Sequence, residues 1–175
     1  MKVIGLSGWS GAGKTTLLAR LIPHLTAKGL RVSTVKHAHS DFDVDTPGKD
    51  SWLHRQAGAT EVLISSGRRF ALMHELRGAP EPRFAELIAR MAPVDLVIVE
   101  GFKTDRRPKI EIHRAANNKP LIFPGDPHVV GLATDAAVET VLPVVHLDDI
   151  AAIARLVRAS AIAVDEALAR EEAGA

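Results

Sequence analysis

Two hydrophobic patterns alternate along the first hundred residues and predict alternating strands and helices. The runs KVIGLS (2–7) and DLVIVEG (95–101) are almost continuously apolar, as in strands buried on both faces. Between them, apolar residues recur at helical spacing from Lys14 to Lys28, and Gly29 ends that helix. Strands and helices that alternate in this way form βαβ units, in which a parallel sheet is covered by helices.

The other segments favour the same architecture. Further strands are predicted at 31–38, 60–66, 68–76, 109–114, 120–123 and 129–134, and further helices at 51–58, 81–91 and from about 148 to the last residues. The strands 60–66 and 68–76 are predicted to pair antiparallel. The alternating segment KIEIHR (109–114) is interpreted as an edge strand able to pair across a twofold axis. We predict one α/β domain over 1–175, with a mostly parallel sheet, helices on both faces and some antiparallel edge strands.

Composition narrows the classes of partner. The formal net charge is +1, so no broad basic face for nucleic acid is expected. The chain has no cysteine, which excludes disulfides and thiolate metal sites and suits a reducing compartment. No segment reaches the roughly 18 consecutive apolar residues of a membrane-spanning helix. These features predict a soluble, cytoplasmic protein that binds neither nucleic acid nor a membrane.

The first candidate site lies between the first predicted strand and helix, where GWSGAGKT matches GxxxxGK[ST]. Its glycines let backbone N–H groups converge on phosphate oxygens, and the following helix adds its positive end. Lys14 is predicted to contact the β and γ phosphates, and the Thr15 hydroxyl is predicted to bind Mg2+. The alternative is a glycine-rich turn that binds nothing. The predicted phosphate loop consists of Gly8, Trp9, Ser10, Gly11, Ala12, Gly13, Lys14, Thr15 and Thr16.

A second acidic group is expected at the end of a neighbouring strand. Glu100 ends the apolar run 95–101, whereas the commonest arrangement of this kind ends in aspartate. Ligands gather outside the carboxyl ends of parallel strands, so Glu100 is the candidate for metal binding and catalysis beside Lys14. Asp95, at the start of the same run, is interpreted as a solvated strand start.

The acidic loop HSDFDVDTPGKD is the third candidate. Its alternating aspartates do not continue with the spacing of an EF-hand. A loop at the carboxyl end of a strand is instead placed to approach the γ-phosphate and Mg2+, as switch segments do. Asp43 or Asp45 is therefore predicted in the outer shell of the metal, with Gly48 and Lys49 allowing the loop to close. An ordinary hydrated turn has equal weight.

Two histidines follow the second predicted strand. His37 and His39 would point to the same side of an extended segment. A dedicated transition-metal site is one interpretation, but the chain lacks cysteine and any acidic residue at helical metal-site spacing. A histidine pair that contacts phosphate or supports the structure is the preferred alternative.

Four segments together resemble one family. The segments GWSGAGKTTLL (8–18), VKHAHSDFDVDTPGKDSWLHRQAGA (35–59), RFALMHEL (69–76) and DLVIVEGFK (95–103) are similar to the molybdopterin-guanine dinucleotide biosynthesis protein B family, MobB. The similarity covers nearly the whole chain, and its most specific parts are 36–59 and 95–103.

The resemblance implies a P-loop NTPase-like protein that binds GTP with Mg2+, hydrolyses it weakly and forms a homodimer. It also implies an adaptor role beside the guanylyltransferase that joins GMP to the molybdenum pterin cofactor, and it leaves direct binding of molybdopterin open. Carried over by motif, the phosphate loop is Gly8–Thr16, the second acid is Glu100 and the acidic loop is 43–51.

Recognition of the base is a separate question, because the Asn-Lys-x-Asp signature of familiar GTPases is absent. The predicted strand 129–134 is followed by Asp135, whose carboxylate can accept hydrogen bonds from two guanine N–H groups. Asp135 is therefore a candidate for guanine recognition. An aspartate that caps a turn or helix is the alternative.

Two other classes of function remain open at this point. A small-molecule kinase would use the same loop, with Arg106, Arg107 and Lys109 as a lid over the phosphates. A metallochaperone GTPase is suggested only by His37 and His39, without the usual histidine-rich tract. No glutamine is positioned like the water-orienting residue of a fast GTPase, so a stabilising arginine is expected from a partner or from the second subunit.

Overall fold

The computed structural model describes residues 1–38, 41–101 and 106–173. Its strands are β1 (Lys2–Ser7), β2 (Val32–Lys36), β3 (Glu61–Ser65), β4 (Phe70–His74), β5 (Leu96–Glu100), β6 (Lys109–His113), β7 (Val129–Thr134), β8 (Val144–His146) and β9 (Ile162–Ala163). The α-helices are α1 (Lys14–Thr26), α2 (Asp50–Gln56), α3 (Phe84–Ala89), α4 (Ile150–Ser160) and α5 (Val164–Glu172). Short 3-10 helices cover Ala115–Asn117 and Phe123–Gly125. Within these described ranges, no helix is both long and apolar enough to cross a membrane.

The chain divides into two compact units, Met1–His37 with Ala92–Ala175, and Ala38–Met91. The first unit contains a seven-stranded sheet in the order β2-β5-β1-β6-β7-β8, in which these strands run parallel, and β9 pairs antiparallel with β1. This architecture confirms the predicted α/β fold with a mostly parallel sheet. The prediction of one domain over 1–175 stays a prediction.

One face of this sheet forms the main core with α1 and α4. Leu17, Leu21 and Leu25 of α1 recur at helical spacing, and each is at most 4% exposed. They belong to the same buried cluster as Ile4 of β1 and Ile98 of β5. A leucine or isoleucine buried in this way stabilises the fold by about 1.5–3 kcal/mol. The core therefore holds β1 and α1 together at the point where the predicted phosphate loop joins them.

Asp95 lies at the opposite end of β5 from Glu100. Its carboxylate accepts hydrogen bonds from the Arg31 backbone N–H at 2.8 Å and from the Arg31 guanidinium at 3.0 and 3.2 Å. The hydrogen bonds from Arg31 lower the Asp95 pKa to about 2. Asp95 is thus an exposed, ionised residue that joins the start of β5 to the start of β2, as expected for a strand start.

The second unit contains α2, α3 and a separate sheet in which β3 pairs antiparallel with β4. The predicted pairing of 60–66 with 68–76 is thereby confirmed. Val62 and Met73 are directly opposite each other and buried, whereas Leu63 and Leu72, the next opposite pair, are 61% and 46% exposed. One face of the hairpin is therefore buried at Val62 and Met73 but exposed at Ile64, whereas the opposite face exposes Leu63 and Leu72.

Three predictions of secondary structure after residue 101 are wrong. The segment 109–114 is not an edge strand, because β6 pairs with β1 on one side and β7 on the other. No strand forms at 120–123, where the backbone N–H groups of Ile122 and Phe123 instead donate to the buried Glu111 carboxylate at 2.8 and 2.9 Å. The predicted C-terminal helix is two helices, because β9 pairs with the start of β1 and interrupts it.

Candidate functional site

The glycine-rich loop runs from the end of β1 to the start of α1, as predicted. Gly8, Gly11 and Gly13 have φ angles of 147°, 82° and 93°, a backbone conformation that favours glycine. A β-carbon on Gly8 would lie 2.5 Å from the carbonyl oxygen of Ile112, so the loop passes directly against the end of β6. Glycine is therefore required at position 8 by both backbone conformation and space.

The N-terminus of α1 is open to an anion. Gly13 occupies the N-cap position and provides no side-chain hydrogen bond to the first turn, which also contains no acidic residue. The first N–H groups of a helix lack intrahelical partners, and the helix dipole makes this end positive. Lys14 lies beside it and donates hydrogen bonds to the carbonyl oxygens of Gly8 at 2.7 Å and Trp9 at 3.1 Å. The loop, the helix end and this ammonium group form a cradle suited to phosphate.

A segment far away in the sequence holds the loop. The Trp9 indole N–H donates to the carbonyl oxygen of Pro120 at 2.8 Å, and the Asn117 amide donates to the carbonyl oxygen of Ser10 at 2.9 Å. A β-carbon on Gly11 would also lie 2.9 Å from the Asn117 side-chain oxygen. The contribution of Asn117 was not predicted from the sequence, since these residues lie 107 positions apart and belong to no local motif.

Asp135 follows β7, next to the segment that leaves β6. Its carboxylate accepts a hydrogen bond from the Ala115 backbone N–H at 2.7 Å and lies 3.6 Å from the Arg114 guanidinium. The hydrogen bond from Ala115 is the main cause that lowers the Asp135 pKa below its ordinary value. The Asp135 carboxylate therefore binds the first N–H of the short 3-10 helix that begins at Ala115, and its use for guanine stays a prediction.

Glu100 is the last residue of β5, which lies beside β1, the strand that leads into the glycine-rich loop. Its Cα pairs with that of Leu6 of β1 on one side and Lys36 of β2 on the other. Strand alternation places Glu100 on the same face as Ile98, which is in the core cluster packed against α1. Among the residues that the structure describes, none forms a hydrogen bond or an ion pair with the Glu100 carboxylate, nor does any bond to the Thr15 hydroxyl. Both groups retain their capacity to bind a ligand.

Asp43 and Asp45 belong to the second unit, where they bind Arg55. The Arg55 Nη2 atom lies 2.5 Å from the Asp43 carboxylate and 2.8 Å from the Asp45 carboxylate. The Nη1 atom lies 3.1 Å from the Glu75 carboxylate. The hydrogen bonds that Arg55 donates to Asp45 and Glu75 raise the Arg55 pKa above its ordinary value. The Asp45 side chain is only 1% exposed. This network gives the two aspartates a structural role, and their role at a metal stays a prediction.

The remaining predicted residues are placed as follows. The backbone N–H of His37 donates to the carbonyl oxygen of Glu100 at 2.8 Å, while His39 lies outside the described residues. In the described ranges, no group of three or more histidine, cysteine, aspartate or glutamate side chains is arranged to hold a metal. The predicted lid is wrong in two of its residues, because Arg107 is 3% exposed and Lys109, 4% exposed, is bound to Asp126 at 2.7 Å.

The parallel sheet and the cradle between β1 and α1 define this chain as a protein with a P-loop nucleotide-binding fold. The sequence profile of one family, described as molybdopterin guanine dinucleotide synthesis protein B (MobB), matches residues 3–135. The chain belongs to this family.

Individual relatives agree with this assignment. The molybdopterin-guanine dinucleotide biosynthesis adapter protein of Escherichia coli (strain K12) is 39% identical over 158 residues, which are 89% of this chain and 90% of the relative. The protein of the same name from Haemophilus influenzae is 42% identical over 140 residues, 78% of this chain and 76% of the relative. A crystal structure of molybdopterin-guanine biosynthesis protein B is 25% identical with a TM-score of 0.72, and it covers 90% of this chain and 98% of that structure. The predicted family and P-loop fold are confirmed, and the kinase and metallochaperone alternatives are not favoured.

Proposed function

We propose that this chain is an adapter in molybdopterin-guanine dinucleotide synthesis that binds GTP with Mg2+ at the loop Gly8–Thr16. The observation that carries this proposal is the glycine-lined cradle at the uncapped N-terminus of α1, with Lys14 held across it. Membership of the family supports a role in this pathway, and the names of the relatives, which are called adapter proteins, support the adapter role. An adapter of this pathway interacts with its enzymes, and we propose the molybdenum cofactor guanylyltransferase as the partner, with molybdopterin as a further candidate ligand.

Each residue of the site has a proposed role. The backbone N–H groups of Gly8–Thr16 bind the phosphates, and Lys14 neutralises their charge. The Thr15 hydroxyl and the Glu100 carboxylate hold Mg2+, which characteristically uses one or two carboxylates together with substrate phosphates. Asp43 and Asp45 are proposed to act only through water, because both already accept hydrogen bonds from Arg55. Hydrolysis, with Lys14 and Glu100 as the catalytic residues, is proposed to be slow.

Asp135 is proposed to recognise guanine. The position after β7 supports this role, because it lies at the carboxyl end of the parallel sheet, where ligands of such folds bind. One oxygen of the carboxylate accepts from the Ala115 N–H, and an ionised carboxylate has further acceptor sites for the two N–H groups of guanine. The carboxyl group of Asp135 is ionised at neutral pH, because its ordinary pKa is already far below 7 and the hydrogen bond from Ala115 lowers it further.

Equilibrium binding tests the proposed function. We expect the purified full chain to bind GTP at least about tenfold more tightly than ATP, and only weakly without Mg2+. Asp135→Asn replaces one acceptor by a donor, so it should lose GTP affinity and gain affinity for xanthosine triphosphate. Isothermal titration calorimetry with the three nucleotides measures both effects. Preference for ATP would refute the GTP proposal, and an unchanged preference in Asp135→Asn would remove Asp135 from base recognition.

We further propose that the chain forms a homodimer through the hairpin β3–β4. Leu63, Phe70 and Leu72 lie on one face of this hairpin and are 61%, 73% and 46% exposed. Isolated two-stranded sheets are marginally stable, and contiguous exposed apolar side chains mark interaction surfaces.

Multi-angle light scattering of the full chain should give the mass of two chains. Phe70→Asp should reduce it to the mass of one chain, because a charge on the apolar face would be buried without a partner. Val141→Asp, which changes a fully exposed valine outside the hairpin, is the matched control. A mass of one chain for the unchanged protein would contradict the homodimer.

A further inference from the structure

Arg114 lies between the phosphate cradle and the end of β7. It follows β6 directly, and its Nη2 atom is 3.4 Å from the position that a β-carbon on Gly13 would occupy. Its Nη1 atom is 3.6 Å from the Asp135 carboxylate. The Arg114 side chain is 44% exposed, so the guanidinium borders the loop without being enclosed in the core.

Arg114 lies close to two other sources of positive potential, the N-terminus of α1 and Lys14. Gly13 is the N-cap of α1, and the positive end of a helix dipole disfavours a neighbouring positive charge. Lys14 adds a second positive charge at the same end of the helix. The Asp135 carboxylate offsets part of this repulsion from 3.6 Å, a distance beyond a good hydrogen bond. Two cations at an uncapped helix N-terminus are complementary to a ligand with several negative charges.

The position of Arg114 is fixed by its own segment. The next residue, Ala115, donates its backbone N–H to Asp135 at 2.7 Å, and Asn117 donates to the carbonyl oxygen of Ser10 in the loop at 2.9 Å. Further along the same segment, the carbonyl oxygen of Pro120 accepts a hydrogen bond from the Trp9 indole N–H at 2.8 Å. Because the backbone on both sides is attached, little conformational freedom of the main chain remains to be lost when the guanidinium binds a ligand.

We propose that Arg114 is a phosphate-binding residue of the nucleotide site and that Asp135 positions it in the absence of ligand. The inference rests on the proposed function. A guanidinium presents two parallel N–H donors that match two phosphate oxygens, and such charge-assisted pairs are stronger than neutral hydrogen bonds. The protein thereby provides its own arginine for the phosphates of the nucleotide. From the sequence, an arginine is instead expected from a partner or from the second subunit.

Binding of magnesium tripolyphosphate, which has neither base nor ribose, separates phosphate contact from effects on the base. We expect Arg114→Ala to weaken both GTP and tripolyphosphate about 10- to 100-fold, the range for hydrogen bonds to charged groups. Arg114→Lys should recover only part of the loss, because an ammonium group lacks the paired donors. The matched control is Arg20→Ala, which removes a 46% exposed arginine bound to Asp148 at 3.0 Å and should leave both affinities unchanged.

The outcomes distinguish this inference from the proposed function. Loss of GTP affinity with unchanged tripolyphosphate affinity in Arg114→Ala would overturn the inference, since Arg114 would then act through Asp135 on the base. Unchanged affinity for both ligands would also overturn it, while GTP binding by the parent chain would leave the proposed function intact. If the parent chain binds neither ligand, both fail. Equal thermal unfolding midpoints of the Arg114→Ala and Arg20→Ala chains establish that lost affinity does not come from unfolding.

Discussion

Lys14→Ala is expected to weaken binding of Mg2+-GTP by about 100-fold or more. The ammonium group of Lys14 is held over the loop by the carbonyl oxygens of Gly8 and Trp9, within reach of any phosphate at the N-terminus of α1. Loss of a charge-assisted hydrogen bond costs about 1.5–3 kcal/mol, and loss of a charge beside a triphosphate adds to this cost. Isothermal titration calorimetry of the two chains measures the effect.

The control for this prediction is Lys28→Ala, which removes an exposed lysine just beyond the end of α1 and leaves the net charge of the two variants equal. It should bind GTP as the parent chain does. Both variants should unfold at nearly the parent temperature, since neither lysine belongs to the apolar core. Equal GTP affinity of the Lys14→Ala and parent chains would show that the cradle is not where the nucleotide binds.

Local patterns were sufficient to predict the cradle. The apolar run before Gly8, the glycines of the loop and the helical spacing after Lys14 are contiguous, and the core confirms the same boundaries of β1 and α1. The position of Glu100 could also be predicted, because a charged residue directly after a buried apolar run indicates where the strand leaves the core. These features depend on neighbours in the sequence.

Contacts between distant segments could not be predicted in this way. Trp9 and Pro120 are 111 positions apart, and no periodicity connects the loop with the segment after β6. The strand β6 itself is also mispredicted, because the alternation of apolar and polar residues in KIEIHR is typical of an edge strand. In the structure, however, Glu111 is fully buried and caps backbone N–H groups, and Lys109 is buried against Asp126. The polar residues of this alternating pattern are therefore buried and hydrogen-bonded within the protein, and they do not face solvent.

The C-terminal helices illustrate the same limit. Apolar residues continue at helical spacing through Ala161 and Ile162, and no glycine or proline interrupts them. Residues 162 and 163 are nevertheless extended, because Ile162 of β9 pairs with Val3 of β1. Tertiary pairing thus overrides helix propensity, which is a weak preference of a few tenths of a kcal/mol per residue.

Gly8→Ala is expected to destabilise the fold by about 3–5 kcal/mol and to abolish nucleotide binding. The new β-carbon would lie 2.5 Å from the carbonyl oxygen of Ile112, a backbone atom of a strand paired on both sides, so neither partner can move without disturbing the sheet. Gly29→Ala is the matched control, because Gly29 also has a positive φ, 81°, but open space around its α-carbon. Its cost should be only the conformational one, about 1–2 kcal/mol.

Urea unfolding of the two variants measures both costs. The larger cost expected for Gly8→Ala combines the close approach of the loop to β6 with the φ of 147° at Gly8, which lies farther from the left-handed helical region than the 81° of Gly29. We expect Gly29→Ala to bind GTP normally, since it lies beyond the C-terminal end of α1. If Gly8→Ala costs no more than Gly29→Ala, the loop must relax away from Ile112, and tight packing against β6 would not be what holds the cradle in shape.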